Sequence, residues 1–269
     1  MLNSWNGHDT LSDSEIDDLR RAKALLESPG LAARVANVIG MPVERGFKQL
    51  PEGWQKKVSD ATQAALLKGL EYSISSLGKK DVRKTQDWMH KLVVSASGAI
   101  GGAFGLLSLP IELPLSTCII LRSVADIAKS EEHDLSRLDV RLSCLEVLAL
   151  GGRSTKDDSA ESGYWAVRIA VAKLITEATA YLAEKGVAAK TPPVLLRLVA
   201  SIASRFGTVV SEEIAAKAIP VVGGALGATV NFMFMDHFQR MAHGHFIVLR
   251  LENRFGSEAV KTMYEQMGV

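Results

Sequence analysis

The chain has 269 residues, 47% of them hydrophobic and 23% charged, with 31 Lys+Arg against 30 Asp+Glu and a formal net charge of +1. Ample apolar content with nearly cancelling charge argues against global disorder. The lack of excess positive charge, with aromatics at only 6%, argues against a dedicated DNA or RNA binder.

Residues 1–18 carry Asp9, Asp13, Glu15, Asp17 and Asp18, and no basic start leads into an apolar stretch. They do not read as a targeting signal, so a cytoplasmic, non-secreted protein is expected. Ser12 and Glu15 form a capping-box pattern, and Leu19, Ala22, Leu25 and Leu26 then recur at helical spacing until Pro29-Gly30. A second helix fits 31–39, closed by Gly40-Met41-Pro42. A longer one fits 52–76, with Trp54, Val58, Ala61, Ala65, Leu66 and Tyr72 on one face and Lys56, Lys57, Asp60, Gln63 and Lys68 on the other.

The middle of the chain changes character. Residues 92–111 form a run of 20 without a charge, reaching the roughly 20 residues a membrane-spanning helix needs. Residues 218–235 form a second, of 18. Gly98, Gly101, Gly102 and Gly105 in the first run and Gly223, Gly224 and Gly227 in the second give small-xxx-small spacing, which lets backbones approach closely. Gly101 to Gly105 and Gly223 to Gly227 share a five-residue pattern, so a duplicated helical hairpin or chance can explain it. Pro110 and Pro114 are expected to break the first run into a tight apolar turn.

Between the runs an amphipathic helix fits 135–150, followed by an exposed polar linker at about 151–163. Helices then fit 164–185 and 194–217. A single long helix fits 222–255 with Gly256 closing it, and a last one fits 257–267. No strand pattern is present. The expected fold class is all-α: a multi-helix bundle with two Gly-rich apolar helices or hairpins packed centrally and amphipathic helices around them.

Several segments together resemble the EcsC family of bacterial proteins. They are Gly105-Leu106-Leu107-Ser108-Leu109-Pro110-Ile111-Glu112-Leu113-Pro114, Leu121-Arg122-Ser123-Val124-Ala125-Asp126-Ile127-Ala128, residues 219–231 and the ending Leu249-Arg250-Leu251-Glu252-Asn253-Arg254-Phe255-Gly256. The resemblance covers roughly 45–266, which divides the chain into an N-terminal helical extension, 1–44, and an EcsC-like domain, 45–269. It implies a helical protein, in a family named for a member encoded beside an ABC-transporter operon, with no established biochemical activity and no catalytic residues to carry over.

Chemistry-bearing patterns are sparse. His237, His243 and His245 lack the four-residue spacing of a helical metal site, so no metal is expected and interfacial or surface histidines are. No nucleophile elbow, P-loop or dinucleotide fingerprint occurs, and no cofactor is expected. Cys118 and Cys144 are too few for a disulfide framework and sit in apolar helical context, where reduced buried thiols are expected. Polar residues inside apolar runs remain: Glu112, Arg122, Asp126, Asn231, Asp236 and Arg240. Arg122/Asp126 and Asp236/Arg240 are each four apart and can pair, and Glu112 is expected to meet Arg122 or Arg240 in a buried contact between the hairpins. A charge emerging at a helix end or turn is the other reading of Glu112.

The functional expectation is a non-enzymatic, membrane-associated helical protein linked to a transporter or envelope process. It would sit at the inner face of the cytoplasmic membrane, with a lipid bilayer or membrane protein as partner and no nucleic acid. The alternative is a soluble all-α adaptor or enzyme with a polar site near Glu112.

Overall fold

The computed structural model describes residues 11–77, 105–152, 163–186, 191–219 and 224–267. Among them the fold is all-α, a bundle of ten helices with no strand. The duplicated-hairpin reading rests mainly on Gly98, Gly101, Gly102 and Gly223, which lie outside the described residues. Gly105, Gly224 and Gly227 fall in the first turns of two long helices.

Local signals set the helix ends. α1 (Asp13–Leu26) starts with the expected capping box: the Glu15 amide donates to Ser12 Oγ at 3.4 Å, and the Ser12 amide donates to Glu15 Oε2 at 2.8 Å. α2 (Leu31–Ile39) ends at Gly40, whose φ of 73° is left-handed, as a helix-closing glycine requires. A short α3 (Glu44–Phe47) leads to α4 (Trp54–Ser75). Its buried Val58, Ala61, Ala65, Leu66 and Leu70 oppose exposed Lys56, Lys57, Asp60 and Lys68, as the amphipathic pattern predicts.

α5 (Gly105–Ser130) departs from expectation, because it runs through both Pro110 and Pro114 without a break. The prolines are four residues apart and share one face of the helix, where Pro110 is exposed and Pro114 half-buried. The Pro110 carbonyl, which loses its amide partner at Pro114, therefore lies along the solvent side, and the helix tolerates the lost bond.

The region 135–150 also differs from a single amphipathic helix. α6 (Leu138–Glu146) passes into a 3₁₀ turn, Val147–Ala149, and every residue from Cys144 to Leu150 is buried. At the start of the polar linker Gly151 is exposed, as expected, but Gly152 is buried, and a Cβ there would lie 2.6 Å from the Arg205 carbonyl oxygen.

α7 (Gly163–Lys185), α8 (Pro193–Ala218), α9 (Gly224–Phe255) and α10 (Ser257–Gln266) follow the predicted order closely. Pro193 starts α8 where its missing amide costs nothing, and Gly256 closes α9 with φ 87°. α9 is the central element, packed against α1, α2, α5, α8 and α10. Its middle is buried nearly all round: from Met241 to Val248 only His243 reaches solvent. Residues 11–44 share this core, with Leu19, Ala22, Leu31, Val35 and Val43 all buried in it.

α5 and α9 run parallel. Gln239 Nε2 donates to Ser123 Oγ at 2.9 Å, Glu131 lies beside His243 and Arg250, and His133 Nε2 is 2.9 Å from the Phe246 carbonyl oxygen. Both helices therefore begin at one end of the bundle. α8 ends there too, since only residues 219–223 separate it from α9.

Candidate functional site

Among the described residues, the two most exposed large apolar side chains lie toward the end where α5 and α9 begin. Ile111 on α5 is 77% exposed and Phe232 on α9 is 72% exposed. Ile111 ends the first uncharged run and Phe232 lies within the second. The parallel register sets the described parts of the two runs on α5 and α9, 105–111 and 224–235, at the same end of the bundle, which the sequence did not reveal. Among the described residues one helix, α8, is long and apolar enough to cross a membrane, but 44% of that stretch is buried in the bundle. Core helices of soluble proteins meet the same criteria.

The six polar residues singled out from the sequence do not converge. Arg122, 8% exposed, pairs with Asp126 at 3.2 Å, as their four-residue spacing predicts. Glu112 is half-buried and makes no ion pair among the described residues. Ten residues, about 15 Å of helix, separate it from Arg122, and the α5–α9 register sets Arg240 about three turns away. Asp236 pairs not with Arg240 but with Arg34 of α2. Asn231 is half-buried near the start of α9.

A polar cluster that the sequence did not disclose lies where α6, α7 and α9 meet. Tyr164 Oη is 3.1 Å from His245 Nδ1, and Glu146 Oε2 is 3.5 Å from His245 Nε2; the His245 and Glu146 side chains are 0% and 3% exposed. Arg168 reaches Glu252 at 2.5 Å, with both side chains largely buried. Trp165 and Tyr264 close the aromatic side, with ring centroids 5.5 Å apart. Burial pushes the Tyr164 phenol pKa far up, so it stays protonated. Burial also works against the Arg168 charge, but Tyr164, Glu252 and Glu146 outweigh it and keep its pKa raised. Tyr164 and Arg168 sit four apart and His245 and Glu252 seven apart, each on one helix face. Those spacings were readable, but nothing in the sequence ties them to Glu146.

His237 is likewise interior rather than superficial. It is 1% exposed, its ring donates to the Leu150 carbonyl, and Nε2 has no partner. Of the two readings of these histidines, interfacial or surface, His237 and His245 take the interfacial one, buried between helices, while His243 is half-exposed beside Glu131 at 3.3 Å. On the far side of α9, Arg250 bridges Asp18 of α1 at 2.8 Å and Glu131 at 3.4 Å, and Arg254 pairs with Glu15. Burial raises the thiol pKa of both Cys144 and Cys118, so neither is activated toward nucleophilic chemistry. No group of three or more metal-ligating side chains occurs among the described residues.

These features define an all-α bundle with a polar cluster around His245 sealed inside and with Ile111 and Phe232 exposed on the helices that begin at one end. Its sequence places it more narrowly: the model of the EcsC protein family matches residues 13–251, and the chain belongs to that family. The match includes α1 and α2, beginning well before Arg45. No curated protein matches the chain, and no solved structure does.

Proposed function

We propose that this protein acts by binding a lipid bilayer, at the inner face of the cytoplasmic membrane, rather than by catalysis. It would engage the bilayer through the end of the bundle where α5 and α9 begin. The observation that carries the reading is the parallel start of these helices, each continuing an uncharged run, with Ile111 77% and Phe232 72% exposed. Such runs have the length to reach across or into a hydrocarbon layer. Interaction is favoured over catalysis because the titratable groups that pack together, Glu146, Tyr164 and His245, are closed off from solvent.

Flotation of the full chain with phosphatidylcholine vesicles, with and without phosphatidylglycerol, tests this. Burying Ile or Phe contributes roughly 1.5–3 kcal/mol each. The double variant Ile111→Asp/Phe232→Asp should therefore bind at least ~100-fold more weakly while keeping wild-type thermal stability, since both sites are exposed. A wild-type protein that never floats at low salt, or a double variant that floats equally well, overturns the proposal.

A further inference from the structure

One ion pair ties α2 to the same end of the bundle. Arg34 of α2 donates to Asp236 of α9, one helical turn beyond Phe232. The face that α2 turns inward is apolar, with Leu31 and Val35 each 1% exposed, and Val38, one turn after Arg34, is 53% exposed. Next to Asp236 sits buried His237. Its ring donates one proton to the Leu150 carbonyl and leaves Nε2 bare.

The space around that nitrogen is closed. A Cβ at Gly151 would lie 2.6 Å from His237 Nε2 and 3.0 Å from Met241 Sδ. A second ring proton would therefore enter a buried position without an acceptor, which is costly. The charged groups facing the ring are Arg34 from α2 and Asp236 and Arg240 from α9. An imidazolium would thus join two guanidiniums and a single carboxylate. From α8, Arg205 sets its carbonyl against Gly152, and the Glu212 carboxylate accepts from the Ala32 amide at the start of α2.

We propose that His237 and the Arg34–Asp236 pair form an acid-sensitive latch: proton uptake by His237 releases α2 from α9 and uncovers apolar surface at the end of the bundle. That this surface then meets a bilayer rests on the function proposed above; the latch itself does not. Burial and the Arg34 charge push the His237 pKa down to about 4. The latch is closed at neutral pH and opens as pH falls toward that value.

Hydrogen exchange of the full chain without lipid, corrected for intrinsic rates, tests the latch between pH 7 and pH 4.5. Protection over 31–39 should fall about tenfold or more relative to α8, and His237→Gln should abolish that difference. As a second variant, Arg34→Met should leave α2 unprotected already at neutral pH while α8 keeps its protection. The latch is overturned if α2 follows α8 at every pH, if His237→Gln responds like the wild type, or if residues 147–152 open while α2 stays protected. Flotation with phosphatidylcholine/phosphatidylglycerol vesicles at both pH values separates the two ideas. Release of α2 without vesicle binding at either pH overturns the membrane reading alone, and equal binding at both pH values with no release overturns the latch alone.

Discussion

The packing of α1 on α9 turns on one glycine, and the same Gly→Ala change elsewhere supplies its control. A Cβ at Gly244 would lie 2.6 Å from Leu26 Cγ and 3.0 Å from the Ala22 carbonyl oxygen. Leu26 can shift its side chain, but Ala22 O is backbone, so α1 itself must move. Overpacking of this kind costs about 1–3 kcal/mol. Alanine returns up to about 1 kcal/mol of helix propensity over glycine, so Gly244→Ala should destabilise the protein by about 1–2 kcal/mol. Gly207, in the interior of α8, is the counter-case: a Cβ there meets nothing closer than Thr62, at 3.8 Å. Gly207→Ala should therefore stabilise by about 0.5–1 kcal/mol. Urea unfolding of both variants, fitted with a common slope, measures the pair, and hydrogen exchange over α1 should report loosening only for Gly244→Ala. If Gly244→Ala is as stable as the wild type, or the two midpoints move in the same direction, the close approach of α1 to α9 is wrong.

Other perturbations address the interior. Because the His237 pKa falls from an ordinary 6.5 to about 4 in the folded state, its contribution is intact above pH 6.5 and is lost as pH falls from there toward 4. At ~1.4 kcal/mol per pH unit the loss approaches about 3 kcal/mol, so urea midpoints should fall more steeply below pH 6.5 for the wild type than for His237→Gln. Removing one partner of the Arg168–Glu252 pair, as in Arg168→Met, should cost about 3–5 kcal/mol by leaving a buried charge unpaired; Arg168→Met/Glu252→Met should recover part of that in a double-mutant cycle on thermal unfolding. Cys144, wholly buried with its pKa raised, should react with a thiol reagent only at the rate of unfolding, whereas half-buried Cys118 should react earlier; mass spectrometry of partly labelled protein distinguishes the order.

Local chemistry was legible where it is local. Ser12 and Glu15, Gly40, Pro193 and Gly256 mark helix ends in sequence because capping and left-handed backbone depend on the residues themselves. The two prolines misled because a proline's cost depends on which side of the helix it faces, and only the packed bundle sets that. Pairing failed in the same way. Asp236 could reach Arg240 on its own helix, yet Arg34, two hundred residues earlier, takes its carboxylate. His245 and Glu146 are ordinary surface-type residues in sequence, and they become a buried pair only because the end of α6 comes within side-chain reach of α9.

The pairing of first and last helices sets a timetable for biosynthesis. α1 places Lys23 Nζ 3.1 Å from the Tyr264 carbonyl oxygen, Arg254 beside Glu15 and Arg250 beside Asp18, contacts spanning 241, 239 and 232 residues of chain. At 5–20 residues per second, α1 therefore waits roughly 10–50 s on the ribosome before its partners emerge. Through that interval the stripe of Leu19, Ala22 and Leu26 on nascent α1 has no native cover.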